Sequence, residues 1–184
     1  MKRTREEWIA AAKATLITQG VDAVRVDRLA RDLGVTRGSF YGYFAGRDKL
    51  LSELIEVWRQ QNTTPLHEAI EAAAPDGAAQ VRAVMELWIS EETFSPPFDS
   101  AVRDWARTSP EVAEIVQAID DERIDALIDP FRNLGCPPKE AMIRARVMYY
   151  HQVGYYAMGV VEDEVERRKL TSTYLHVLTG QDIF

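Results

Sequence analysis

Residues 26–44 read VDRLARDLGVTRGSFYGYF and have the spacing of two short helices joined by a tight turn. Ala30 is the small residue that lets a second helix cross the first closely. Gly34, four residues later, suits a chain reversal with positive φ. Apolar side chains then stand where they would fill the angle between the helices: Leu29, Leu33, Val35 and Phe40. The pattern predicts a helix-turn-helix.

The second helix of this motif, expected over 37–43, contains Gly38 and Gly42. Each glycine costs about 1 kcal/mol of helix propensity relative to alanine, so an ordinary buried helix does not favour them. A helix that lies in the major groove of DNA can use them, because its backbone has to approach bases and phosphates. Thr36 is expected to cap this helix.

The polar side chains of this segment suit a nucleic-acid surface. Hydroxyl groups can contact phosphate oxygens, and arginine can reach either a phosphate or a guanine edge. The candidates are Thr36, Arg37, Ser39, Tyr41 and Tyr43, together with the backbone at Gly38. Arg47 stands at the start of the next helix, where backbone N–H groups favour an anion. The alternatives are that Tyr41 is a core residue with its hydroxyl at the surface and that Arg47 is only solvated.

The charge of the chain is divided unevenly along its length. The whole chain of 184 residues has a net charge of -7. Residues 1–62 contain 11 Lys and Arg against 8 Asp and Glu, whereas the remainder contains 11 against 21. A basic N-terminal part on an acidic body indicates that only the N-terminal part meets a polyanion.

From Gly20 to Leu51 the sequence resembles the DNA-binding domain of the tetracycline-repressor (TetR) family. The matching features are Gly20, Leu29-Ala30, Gly34-Val35-Thr36, Gly38, Tyr41, Phe44 and Arg47-Asp48 followed by Leu50-Leu51. The resemblance implies a homodimer, a roughly palindromic operator, repression as the default mode and release on binding a small molecule. The alternative is a constitutive or activating DNA-binding regulator without a small-molecule ligand.

Two positions depart from the family pattern. Arg25 and Val26 stand where the family usually has Thr or Ser. Either Arg25 makes the phosphate contact instead, or Asp27 caps a shorter helix. Gly42 stands where the family often has an aromatic residue or histidine. Base readout is therefore expected to depend on Arg37, Ser39 and backbone contacts.

Apolar periodicity predicts an all-α chain with about nine or ten helices and no strands. The expected spans are 4–18, 27–33, 37–43, 48–62, 66–74, 78–92, 98–107, 110–133, 139–161 and 165–178. We expect a three-helix DNA-binding domain over residues 1–47. A larger helical regulatory domain, for effector binding and dimerisation, is expected over residues 48–184.

Aromatic and methionine side chains cluster in the regulatory domain. One interpretation is an apolar effector pocket for a small apolar or amphipathic molecule. Its expected lining is Met85, Trp88, Phe98, Val102, Trp105, Ile119, Tyr149 and His151. The other interpretation is an ordinary core, which the sequence favours at each position taken by itself. The resemblance to the family makes the pocket the preferred interpretation.

The last two long helices are expected to form the dimer interface. The helix over 139–161 is apolar on more than one face, and such a helix needs a second partner surface. The expected interface residues are Gly154, Ala157, Val161, Leu170, Tyr174 and Val177. Two such helices from each subunit would form a four-helix bundle.

The sequence gives little support to an enzyme. None of its three histidines has a Glu or His at ligand spacing on the same helix, and no phosphate-binding loop or nucleophile elbow appears. We therefore expect no catalytic residues, no metal site and no cofactor. With one cysteine, Cys136, no signal peptide and no apolar run of about 20 residues, a cytoplasmic protein is expected.

Overall fold

The computed structural model describes residues 3–183, and within that range the chain forms nine α-helices, two short 3-10 segments and no strand. The helices are α1 Arg5–Gln19, α2 Val26–Asp32, α3 Arg47–Asn62, α4 Thr64–Ala72, α5 Gly77–Ser90, α6 Pro96–Ala106, α7 Pro110–Asn133, α8 Pro138–Ala157 and α9 Glu164–Thr179. The 3-10 segments are Val21–Ala23 and Arg37–Gly42. The predicted all-α fold is confirmed.

Local sequence signals explain where the first helix begins and ends. The Thr4 side chain accepts from the Glu7 N–H, and the Glu7 carboxylate accepts from the Thr4 N–H, so the two residues form a capping box. At the other end Gly20 has φ of 79°, a value that L side chains rarely adopt. The helix therefore lies between a favourable cap and a glycine stop.

Two expected helices differ from the structure. The 37–43 segment is a 3-10 segment over Arg37–Gly42, and α8 ends at Ala157 instead of near residue 161. The α8 helix ends early because Gly159 takes φ of 65°, and the Met158 N–H donates to the Gly154 carbonyl at the cap. The left-handed glycine turns the chain away from the helix axis.

The chain divides into two compact units. The first comprises Met1–Gln60 and Pro97–Val116, and the second comprises Gln61–Pro96 and Gln117–Phe184. These units reflect packing, so the boundary expected near residue 47 between a DNA-binding and a regulatory domain stays a prediction.

The first unit has an aromatic core. Trp8, Phe40 and Trp58 have no exposed surface, and the Trp58 indole N–H donates to the Asp99 carboxylate at 2.9 Å. This bond satisfies the only polar group of a large buried ring. A fully buried side chain of this size contributes about 1.5–3 kcal/mol to stability.

The second unit packs α4, α5, α8, α9 and most of α7 around an apolar cluster. Its fully buried members include Val84, Leu127, Phe131 and Ala145. One charged side chain, Arg123, is buried at 2% exposure among them. Among residues 3–183, no helix is both long enough and apolar enough to cross a membrane.

Candidate nucleic-acid interface

The turn after α2 has the geometry that the sequence predicts. Gly34 has φ of 69°, its N–H donates to the Arg31 carbonyl at 3.0 Å, and the Val35 N–H donates to the Ala30 carbonyl at 2.9 Å. These two bonds form a Schellman motif, which satisfies the last carbonyls of the helix. Ala30 is 3% exposed, so the second element of the motif crosses α2 at a buried small residue.

The second element is a 3-10 segment because several local interactions compete with an α-helix. The Ser39 hydroxyl donates to the Thr36 carbonyl at 2.7 Å, and the Ser39 N–H donates to the same oxygen at 3.1 Å. Gly38 and Gly42 lower the helix propensity further. The Thr36 side chain makes no capping hydrogen bond, so the expectation that it caps this element was wrong.

Phe40 anchors the segment to the core. Its buried ring lies edge-to-face with Trp8 at 5.2 Å and stacked on Phe44 at 5.1 Å, measured between ring centroids. With Phe40 turned inward, the side chains around it point outward. Thr36, Arg37, Gly38, Tyr41 and Gly42 are exposed, and Ser39 is half-buried.

Arg37 and Tyr41 form a pair on this exposed surface. The Arg37 Nη2 donates to the Tyr41 hydroxyl at 3.0 Å, and the Arg37 Nε lies 3.4 Å from a carboxylate oxygen of Asp27. The hydrogen bond to Tyr41, together with the charge of Asp27, raises the pKa of Arg37. Asp27, on α2, is the neighbour that the sequence analysis did not assign to this site.

The other candidates for DNA contact occupy different settings. The Arg47 guanidinium is half-buried and donates to the main-chain carbonyls of Val24 at 2.6 Å and Val21 at 2.7 Å. The Tyr43 hydroxyl donates to the Arg3 carbonyl at 2.7 Å. Arg25 is exposed at the start of α2 and does not cap it. The structure thus places Thr36, Arg37, Gly38 and Tyr41 on one surface and gives Arg47 and Tyr43 contacts within the protein.

The two glycines of the segment are not required by packing within the protein. A Cβ at Gly38 would meet only the Thr36 Oγ1, at 3.9 Å, and a Cβ at Gly42 would meet nothing within 4 Å. Neither residue has positive φ. The free chain therefore has room for a side chain at both positions.

The residues expected to line an effector pocket fall into different parts of the structure. Met85, Trp88 and His151 line one cavity in the second unit. Ile119 and Tyr149 are buried in that unit but do not line the cavity. Phe98, Val102 and Trp105 belong to the first unit, where Phe98 and Val102 are fully buried.

Several lining residues of this cavity were not predicted from the sequence, chiefly Met148, Gln152, Tyr155 and Arg167. The first three follow one another at spacings of four and three along α8, so they share one face of that helix. That spacing was the available signal. For Arg167 no signal in the sequence was available.

The expected interface residues on the last helices are mostly exposed. Leu170, Tyr174 and Val177 are 41%, 36% and 71% exposed on α9, and they lie at spacings of four and three. Gly154 is half-buried near the end of α8, Ala157 is its last residue, and Val161 lies in the loop beyond it, 97% exposed. A second exposed apolar row, which was not predicted from the sequence, consists of Ile143, Val147 and Tyr150 on α8.

Comparisons with known proteins agree with this geometry. Residues 9–54 match the profile of "Bacterial regulatory proteins, tetR family". The HTH-type transcriptional regulator EthR of Mycolicibacterium smegmatis is 26% identical over 133 residues, which make up 71% of this chain and 61% of that protein. This chain thus spans less than two thirds of that relative.

Two solved structures share the fold along nearly the whole chain. The TetR-family regulator SCO4454 of Streptomyces coelicolor has a TM-score of 0.73 at 22% identity, with 96% of this chain and 86% of that chain covered. A SmeT–triclosan complex has a TM-score of 0.71 at 18% identity, with 98% and 93% covered.

The helix-turn-helix, its exposed second element and the all-helical body are the features that this chain shares with the transcriptional regulators to which it is similar. Residues 9–54 thus match the model of the tetR family of bacterial regulatory proteins, and nearly the whole chain shares the fold of a solved TetR-family regulator.

Proposed function

We propose that the chain acts as a homodimeric repressor, which binds a palindromic operator through residues 36–43 and is released by a small molecule. The observation that carries this proposal is the exposed surface of Thr36, Arg37, Gly38 and Tyr41, held by the buried ring of Phe40. Such a surface, presented after a Schellman turn, suits the major groove.

The glycines support direct contact with DNA. Because packing within the protein requires neither Gly38 nor Gly42, their lack of a side chain is best explained by a partner that approaches the backbone. Arg37, with its planar guanidinium, is the residue suited to a guanine edge or a phosphate. Asp27 and Tyr41 hold this side chain near the protein until DNA replaces them.

The exposed apolar rows on α8 and α9 support a homodimer. Ile143, Val147 and Tyr150 are each 46–59% exposed, and Val177 on α9 is 71% exposed. Exposed apolar side chains that repeat along one face of a helix mark an interaction site. A two-fold axis at these rows would join two copies of the chain, and a palindromic operator offers one half-site to each copy.

The effector is the least constrained part of the proposal. Its support is the apolar cavity lined by Trp88, Met148 and other side chains of the second unit. The likeness of the fold to a SmeT–triclosan complex adds that this architecture accommodates a small aromatic molecule.

One observation favours the alternative, a constitutive or activating regulator without a ligand. The cavity has a volume of only about 40 Å³, whereas pockets for drug-sized ligands measure roughly 300–1,000 Å³. A ligand of that size would require the walls to move.

The experiment that tests the proposal is selection from a random-sequence duplex library by the purified chain at near-physiological salt. We expect enrichment of a palindrome whose half-sites are centred about one or two helical turns apart. Recovery of random sequences would contradict sequence-specific recognition. Compounds are then screened for release of the selected duplex, and a complex that no compound weakens would favour the constitutive alternative.

A further inference from the structure

The cavity in the second unit lies among α5, α8 and α9 and has a mixed wall. Most of the lining is aromatic or sulfur-containing, and the rest includes polar side chains. The members that matter here are Met85, Trp88, Met148, His151, Gln152 and Arg167. His151 and Tyr174 are partly exposed, so the cavity opens to solvent beside them.

Gln152 is the unusual member of this wall. Its side chain is 7% exposed, and its amide nitrogen is buried without a hydrogen-bond partner among the described residues. Buried amide groups are normally satisfied, so an unpaired donor beside a cavity calls for an explanation. An acceptor atom on a bound molecule would satisfy it.

The charges around the cavity favour a neutral occupant. Arg167 is already paired with the Glu91 carboxylate at 2.5 Å, and it also donates to the Trp88 carbonyl at 2.6 Å. Burial lowers the pKa of His151, because it disfavours the charged form of the ring. An anionic ligand would therefore find no free cation in this wall.

The apolar part of the wall favours an aromatic ring. Trp88 is 4% exposed and Met148 is 1% exposed, and His151 lies 4.9 Å from the Tyr174 ring, centroid to centroid. Thioether sulfurs and aromatic rings attract one another. The wall thus offers sulfur and ring contacts on several sides of a flat molecule.

We propose that this cavity binds a small, neutral aromatic molecule that carries a carbonyl oxygen, and that the Gln152 amide nitrogen donates to that oxygen. The inference rests on the proposed effector-responsive function and names the chemical class of the effector. A cavity that holds benzene measures about 150 Å³, whereas this cavity measures about 40 Å³. The ligand therefore displaces the flexible Met85 and Met148 side chains as it enters.

The test uses acetophenone and ethylbenzene, which have similar shapes but differ in the carbonyl oxygen. The full chain is labelled at its methionine methyl groups and titrated with each compound, and the methyl resonances are followed by NMR. We expect acetophenone to shift Met85 and Met148 in a saturable manner. Met142 and Met158, which do not line the cavity, are the internal controls. Ethylbenzene is expected to bind about tenfold more weakly, since it leaves the amide unpaired.

The matched variant is Gln152→Met, which keeps the length of the side chain and removes the donor. We expect this substitution to weaken the binding of acetophenone about tenfold and to leave the binding of ethylbenzene unchanged or stronger. The proposal would be overturned if Gln152→Met changed the affinity for both compounds equally. It would also be overturned if the wild-type chain showed no saturable shift at Met85 and Met148. The comparison of two compounds on the wild-type chain decides the matter even if the variant does not fold.

This outcome is separable from that of the DNA selection. A chain that selects a palindrome but does not bind acetophenone contradicts only the ligand inference. A chain that binds acetophenone but selects no sequence contradicts the proposed regulatory function and leaves the cavity assignment standing.

Discussion

Arg37 and Arg47 lie close together in the sequence, but their side chains have different surroundings. The Arg47 guanidinium donates to two main-chain carbonyls, those of Val24 and Val21, in the turn that precedes α2. Arg37 is exposed, and its side chain contacts Tyr41 and Asp27. We therefore assign Arg47 chiefly to the stability of the domain and propose Arg37 for contact with DNA.

Replacing each arginine by alanine separates these roles. Arg47→Ala leaves two carbonyls without their charged donor, and we expect the free energy of unfolding to fall by about 1–3 kcal/mol, measured by urea denaturation. Arg37→Ala is expected to leave the urea midpoint unchanged and to weaken binding of the selected duplex about tenfold or more. An Arg47→Ala variant with full stability but weaker DNA binding would reverse the assignment.

Gly38 gives a second test at the scale of one residue. Its Cβ would meet only the Thr36 Oγ1, at 3.9 Å, so Gly38→Ala should fold normally and gain helix propensity. On the DNA complex the same methyl group would separate the backbone from the duplex. We expect unchanged or slightly higher thermal stability and roughly tenfold weaker operator binding by fluorescence anisotropy. Unchanged affinity would show that DNA does not approach this backbone closely.

At the scale of elements, the apolar row on α8 is the surface to test. Val147 is 51% exposed and lies between Ile143 and Tyr150. Val147→Glu would place a charge in the proposed dimer interface, and we expect it to give a monomer at micromolar concentration in sedimentation velocity. Gln117→Glu adds the same charge at an exposed position on α7 and should remain a dimer. A dimeric Val147→Glu variant would exclude this face.

The contact between α7 and α8 depends on a buried polar network. The Tyr149 hydroxyl donates to the Asp120 carboxylate at 2.5 Å, and Arg123 donates to the same hydroxyl at 3.3 Å and to the Thr63 hydroxyl at 3.0 Å. Tyr149→Phe removes the central oxygen, and we expect a loss of about 1–3 kcal/mol in the free energy of unfolding. A loss below about 0.5 kcal/mol would mean that the network contributes little.

Helix positions followed from the sequence wherever apolar periodicity and caps agreed. The α7 helix runs over Pro110–Asn133, as the pattern predicts, and the other α-helices begin and end within a few residues of the expected positions. The exceptions are the 3-10 segment at Arg37–Gly42 and the early end of α8. The first depends on hydrogen bonds from Ser39 to a main-chain carbonyl, and the second depends on the φ of one glycine. Periodicity reports neither of them.

At the scale of the whole molecule, the sequence indicated which kinds of site the chain contains but not which helices pack together to form them. Phe98 and Trp88 look alike in sequence, as aromatic residues on amphipathic helices, yet they belong to different packing units. Periodicity shows which face of a helix is buried and leaves open which helix covers it. The helix-turn-helix was predictable because the residues that form its turn, Ala30, Gly34 and Val35, lie within a few positions of one another.

Release by an effector requires coupling between two sites, and the proposed arrangement supplies a physical route for it. The inner face of α8 lines the cavity through Met148 and Gln152, and its outer face carries Val147 and Tyr150. A ligand that moves α8 would therefore disturb the proposed dimer interface. By linkage, bound DNA must weaken binding of the ligand by the same factor by which the bound ligand weakens binding of DNA.

The central claim is that two copies of the chain read one palindrome through the Thr36–Tyr43 surface. Sedimentation equilibrium of the selected duplex with excess protein measures the number of chains directly, since each chain adds 20.9 kDa. We predict two chains on the palindrome, with affinity lost when one half-site is scrambled. A single chain on the full palindrome, or undiminished affinity for the scrambled duplex, would contradict the account.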